Sequence, residues 1–333
     1  MQNANPMTRR HFLSQSLAAA GAVGVAAGFG SEPQAASAEG KAKESPPAGV
    51  EPIPCGAIGK VKISRMLLGG NLIAGHMHAR DLKYVGSLFR AYATEEKILE
   101  TLKVAEQHGI NTVFESGASY IQRYNRECCG HMQFIPHIEV PLGQAKSALK
   151  DHIQKQVDSG AVALYVWGAS GDALVKAGAG EQIVRAVELA KAHGLPVGVG
   201  GHSLLVPKEC ERLRVPCDFY AKTLHSDDYP SATPKELRQD FMWFGGGKGY
   251  YDNMWCINPE ETIEFMKTVT KPWVAFKVLA AGAVLPRQGF AYAFDNGADF
   301  IAVGMLDFQI PGNCELLSKQ VRRSQNRSRP WRA

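Results

Sequence analysis

Four times in this chain a segment with helical periodicity ends in glycine, and an apolar, β-rich run follows at once. Glu106-Gln107-His108-Gly109 precedes Ile110–Phe114, and Val157-Asp158-Ser159-Gly160 precedes Ala161–Trp167. Lys191-Ala192-His193-Gly194 precedes Pro196–Val199, and Asp295-Asn296-Gly297 precedes Phe300–Val303. Glycine just past a helix accepts the left-handed backbone that closes it. Strands that are apolar throughout are buried on both faces, as in a parallel sheet covered by helices. Regular alternation of the two elements leaves few architectures. The sequence predicts a single-domain α/β fold, a closed (β/α)8 TIM barrel. An open doubly wound sheet is the alternative, but no G-x-G-x-x-G opens a first helix.

The same pattern marks eight strands: Arg65–Leu68, Ile110–Phe114, Phe134–Val140, Ala161–Trp167, Pro196–Val199, Asp218–Leu224, Trp273–Val278 and Phe300–Val303. Thr94 is placed to cap a helix reaching His108, with Glu95 and Glu96 in its first turn. Asn258-Pro259-Glu260-Glu261 opens another that reaches Thr270. The connection after strand six, Ser226 to Ile257, exceeds ordinary loop lengths of ~12–15 residues and is rich in aromatics. It reads as a lid with a hinge at Gly245-Gly246-Gly247, or equally as an insertion with a small core of its own.

Charge adds little about partners. The net charge of +5 resides in a terminal stretch, residues 319–333, with Lys319, Arg322, Arg323, Arg327, Arg329 and Arg332. This reads as a solvated basic tail and gives no reason to invoke nucleic acid. Seven cysteines at irregular spacing, none in C-x-x-C, argue against a disulfide framework. At the other end, Arg9-Arg10 precedes Phe12-Leu13, a short apolar run from Leu17 to Phe29, and Ala36-Ser37-Ala38. The order is that of a cleavable leader, and the run falls short of the ~20 residues of a membrane span. It resembles the twin-arginine export signal, which implies the twin-arginine translocation machinery as a partner and a periplasmic or extracellular location. Residues 1–38 are then the signal peptide, 39–54 a linker and 55–318 the barrel, with no stable membrane span after cleavage.

Ionisable residues gather at the carboxyl ends of the expected strands, where barrel enzymes place their sites. A charge under the helices would be desolvated, so Lys222 and Lys277 are expected to point into the barrel. Glu115 closes strand two. His137 and Glu139 share a face of strand three, and His202 follows strand five. These make Lys222, Lys277, His202, Glu115 and Glu139 the candidate catalytic residues. Asn71, Tyr165, Trp167, His225, Asp252 and Asn253 are the candidate substrate contacts. Crowding of such groups moves their pKa values, which acid–base chemistry needs. Lysine chemistry on a small sugar-derived or carbonyl substrate, giving a lyase, isomerase or hydrolase, is the leading expectation. A divalent metal held by Glu115, Glu139, His202 and His225 is a second, and a barrel that binds a ligand without catalysis is a further alternative.

Several resemblances bear on these expectations. Ala221-Lys222-Thr223 resembles the Schiff-base strand of aldolase-type barrels. Ile58 to Gly70, and Gly109 to Glu115 followed by Tyr120, resemble the aldo/keto reductases, which implies NADP and a tyrosine proton donor. Strands three and four lack that family's lysine and histidine. Lys277 to Gly282 and Ala302 to Met305 resemble the last two strand turns of phosphate-binding barrels. Met66 to Asp81 and Phe276 to Met305 are similar to exported bacterial barrel proteins without assigned chemistry.

Overall fold

The structure is a computed structural model that describes residues 53–78, 83–241 and 254–333. The leader, the three hinge glycines, Asp252 and Asn253 lie outside the described residues. A hairpin comes first, β1 (Cys55–Ile58) and β2 (Val61–Ser64), paired antiparallel. Eight parallel strands follow: β3 (Met66–Gly69), β4 (Thr112–Glu115), β5 (Gln133–Ile138), β6 (Leu164–Val166), β7 (Val197–Gly201), β8 (Phe219–Thr223), β9 (Trp273–Phe276) and β10 (Phe300–Val303). They pair in sequence order, and β10 pairs β3, so the sheet closes into a (β/α)8 barrel.

The expected punctuation is present in the backbone. Gly109, Gly160, Gly194 and Gly297 all have positive φ, from 75° to 101°. Thr94 caps the helix Glu95–Gln107, its hydroxyl accepting from the Lys97 amide. Inside the barrel, Leu67, Phe114, Ile135, Phe219, Val274 and Phe300 form a buried core. A methyl on Gly198 would sit 2.5 Å from the Phe219 ring, so the missing side chain on β7 is the space that β8 fills. The other parity (Met66, Val113, Leu164, Tyr220, Ala275 and Ile301 among them) packs under the helices. The alternation of glycine and apolar runs gives no sign of the hairpin. Its Ile58 and Ile63 join the inner core and stop the amino-terminal end of the barrel.

The carboxyl-terminal stretch differs from the solvated tail expected. Residues 319–323 complete the helix Ile310–Arg323, and the chain then crosses the barrel's underside. Asp299, just ahead of β10, accepts from Arg327 Nη2 at 2.9 Å and Arg329 Nη1 at 2.7 Å, with all three side chains buried. The amides of Trp273 and Arg332 bind the same carboxylate. Arg329 also donates to the carbonyls of Met266, Gly297 and Lys271. The Trp331 ring lies between the guanidinium groups of Arg65, at 4.3 Å, and Arg327, at 3.6 Å. Basic residues placed in a tail by composition are thus spent partly on an internal carboxylate. Among the described residues all seven cysteines are free, with Cys210, Cys217, Cys256 and Cys314 buried.

Removing one side of a buried ion cluster strands the other. Asp299→Asn should lower unfolding free energy by about 3–5 kcal/mol, read as a shifted midpoint in urea denaturation.

Candidate active site

Two consecutive pairs of residues break the alternation of the barrel strands. Val113 faces the helices and Phe114 the interior, so Glu115 should turn outward again. Ala275 and Phe276 set the same expectation for Lys277. Yet Glu115 and Lys277 line one cavity together with Phe114 and Phe276. The cause is in the backbone: φ is 89° at Glu115 and 60° at Lys277, left-handed values that re-aim the side chain. Such a conformation costs of order 1–3 kcal/mol in a non-glycine residue and gathers at functional sites.

The cavity, about 280 Å³, opens at the carboxyl ends of β3, β4, β9 and β10. Asn71, His76 and His78 from the segment after β3 contribute to its wall. Glu115 is fixed from two directions. Its Oε1 accepts from Trp167 Nε1 at 3.0 Å, and its carbonyl accepts from His137 Nδ1 at 2.9 Å. The His137 ring stacks on Trp167, centroids 5.2 Å apart.

Lys277 is half-buried, with Nζ hydrogen-bonded to His78 Nε2 and 5.3 Å from the Trp255 ring centre. Burial pulls its pKa down to about 8, while Glu115 works in the opposite direction. Burial, with the charge of Lys277 next, lowers His78 to about 4. His78 is therefore neutral near pH 7 and accepts from the amine. A lysine near 8 supplies a substantial fraction of free amine in mildly alkaline solution.

Two strands from β9, His202 follows β7 and donates from Nδ1 to Asp172 Oδ2 at 2.8 Å. The other Asp172 oxygen accepts the Ser203 amide at 2.9 Å, and the His202 amide spans both oxygens. The His202 ring meets Phe276 edge-on, centroids 5.2 Å apart. Burial lowers its pKa and Asp172 counters this.

Other expected site residues are elsewhere. Lys222 shares the parity of Tyr220 and Leu224 and pairs with Ala275, on the helix side of the sheet. It is 1% exposed, and Nζ donates to Thr223 O at 2.8 Å, Thr223 Oγ1 at 2.9 Å and Cys256 Sγ at 3.8 Å. The expectation that a lysine must face inward fails because burial lowers this pKa and neutral acceptors satisfy the amine. His225 is also structural: Nε2 accepts the Cys256 amide and Nδ1 donates to Ser226 O, and burial lowers its pKa to about 4. Glu139 lies beyond β5 with its side chain 55% exposed, 3.6 Å from His137. Tyr165 stacks on Phe114 at 4.5 Å and fills the barrel. Tyr120 packs on the outer core. Glu115, Glu139, His202 and His225 therefore do not converge, and no group of three metal-ligating side chains occurs among the described residues.

The long connection after β8 is anchored at both ends. Arg238 pairs with Asp227 at 2.7 Å and donates to the carbonyls of Thr233 and Ile257. Tyr229 forms a small cluster with Ala280 and Val284. Its described part packs on the turn after β9, and the hinge glycines that would separate a lid from an insertion lie outside the described residues.

No protein family matches the chain, and no curated protein does. Solved structures with a similar chain path include phospho-2-dehydro-3-deoxyheptonate aldolase of Thermotoga maritima, at 11% identity and TM-score 0.46 over 82% of this chain and 74% of that one. Dihydrodipicolinate synthase matches at 9% identity and TM-score 0.44, over 69% and 71%. A mandelate oxidase variant matches at 13% identity and TM-score 0.46, over 84% and 79%. The closed strand order, not these likenesses, defines the barrel.

Two outcomes follow from this geometry. Asp172→Ala leaves three buried donors without their acceptor, and should cost about 3 kcal/mol in urea unfolding. Lys277→Gly relieves a left-handed backbone and a desolvated amine, so its midpoint should equal or exceed the parent's.

Proposed function

We propose that the chain is a barrel enzyme that condenses Lys277 with the carbonyl of a small molecule and carries out a lyase or isomerase step. The observation that carries this reading is an amine with pKa about 8, inside a cavity, bonded to a neutral imidazole. In the first step the Nζ lone pair attacks the carbonyl carbon, and the carbonyl π electrons pass to oxygen, which takes a proton. The proton lost from nitrogen passes through His78 to that oxygen, giving a neutral carbinolamine. A second proton, taken from solvent, lets the hydroxyl leave as water while the nitrogen lone pair forms the carbon–nitrogen double bond. The resulting cation accepts the electron pair of an adjacent C–H or C–C bond as it breaks. Glu115, held by Trp167, is the carboxylate available to receive a proton there.

A tyrosine-assisted hydride transfer finds no support, since Tyr120 packs away from the cavity. The arginine pair and apolar run at the amino end support work outside the cytoplasm. Among the described residues, no helix is long and apolar enough to cross a membrane.

Incubation with glyceraldehyde or pyruvate and borohydride should alkylate Lys277, as mapped by peptide mass spectrometry. Lys222→Met should still be labelled and Lys277→Met should not. Free amine rises as pH passes the lowered pKa, so trapping should increase about tenfold from pH 7 to pH 9. Unmodified Lys277 across that range refutes lysine chemistry.

A further inference from the structure

The cavity's wall is divided by chemistry. Asn71, His76, His78, Glu115 and Lys277 form one polar region. The loops after β9, β10 and β3 supply Leu72, Val278, Leu279, Met305 and Leu306. Two further polar side chains on the wall, Gln309 and Asn313, are engaged by the protein itself. Gln309 Oε1 accepts the Leu306 amide at 2.9 Å, and Asn313 Nδ2 lies 3.1 Å from Met305 Sδ. A sugar lying along this surface would leave its hydroxyl groups facing carbon, at the cost of unpaired desolvation.

A phosphate fares no better. Among the described lining residues there is no arginine, and Lys277 is the sole lysine. Recognition of a phosphate dianion uses fixed cations or a cradle of amides. The Gly282 amide, in the turn after β9, already donates to Leu279 O at 2.8 Å, and the Leu306 amide is taken by Gln309. An ammonium bound to phosphate would also be withdrawn from attack on a carbonyl.

We infer that the substrate is an unphosphorylated carbonyl compound with an aliphatic tail, its carbonyl at Lys277 and its tail along Leu72, Leu279 and Met305. The statement rests on the lysine reading for the carbonyl end alone. The tail preference belongs to the wall and can be read without any covalent step.

Two measurements separate the parts. In the first, borohydride trapping at Lys277 is compared for propanal, butanal, pentanal and hexanal, and for glyceraldehyde 3-phosphate. Each methylene that enters the apolar wall should improve the apparent affinity about fourfold, with the phosphorylated aldehyde weakest. In the second, calorimetry follows binding of butanamide and hexanamide, which do not condense with amines. Hexanamide should bind at least tenfold tighter than butanamide, and Leu72→Asn should reduce its affinity about tenfold. Leu279→Ser serves the same purpose if the first variant misfolds. Chain-length dependence in the amides without any trapping upholds the substrate class and removes the lysine step. Trapping that ignores chain length, or favours the phosphorylated aldehyde, overturns the substrate class and leaves the lysine step standing. Amide binding that ignores chain length likewise overturns it.

Discussion

A barrel strand shows its interior to every second side chain, and this alternation governs what the mouth can contain. Lys222 obeys it and is lost to the helix layer. Glu115, the last residue of β4, and Lys277, the first after β9, escape it only through left-handed backbone. The local cost, of order 1–3 kcal/mol at each residue, is met by the surrounding barrel. It leaves a carboxylate and an amine in one cavity, where regular strands would have placed neither.

The surroundings then set the chemistry. Burial brings Lys277 towards neutrality, and His78 stays unprotonated because burial and the adjacent amine both disfavour its charge. Glu115 keeps its aim through the Trp167 indole, which His137 backs by stacking. Two strands from Lys277, Asp172 fixes His202 through both backbone and side chain, and the His202 ring meets Phe276 of the cavity wall. The functional wall is thus stiff on the strand side and apolar on the loop side.

Much of this architecture was legible in the sequence. Glycine after helix, apolar run after glycine, and Thr94 before two glutamates are local signals, and local physics decides them. Lys277, Glu115 and Asn71 were also legible as mouth residues, being polar groups at strand ends. Lys222 reads wrongly from sequence because the penalty on a buried charge falls there on an amine whose pKa burial lowers and whose hydrogen bonds neutral acceptors satisfy. Asp172 lies inside an apolar helix, and its isolation among Gly168, Ala169, Gly171 and Ala173 is the signal the sequence carries for it. His78 had a weaker one, the doublet His76-Met77-His78 just after the first barrel strand. The role of Arg327 and Arg329 depends on Asp299, about 30 residues earlier. Composition sees their charge but not that carboxylate.

The ring of strands has one more consequence. Its closing seam joins Met66 to Ile301, and Arg65 reaches Asp299 and Ala333 across separations of 234 and 268 residues. Each of these contacts closes a loop of more than 200 residues and bears the entropic cost of doing so. High contact order slows folding and prolongs the life of partly assembled chains with unpaired strand edges. A mouth built from β3, β4, β9 and β10 draws on both ends of the chain, so its contacts carry the largest loop-closure cost in the barrel.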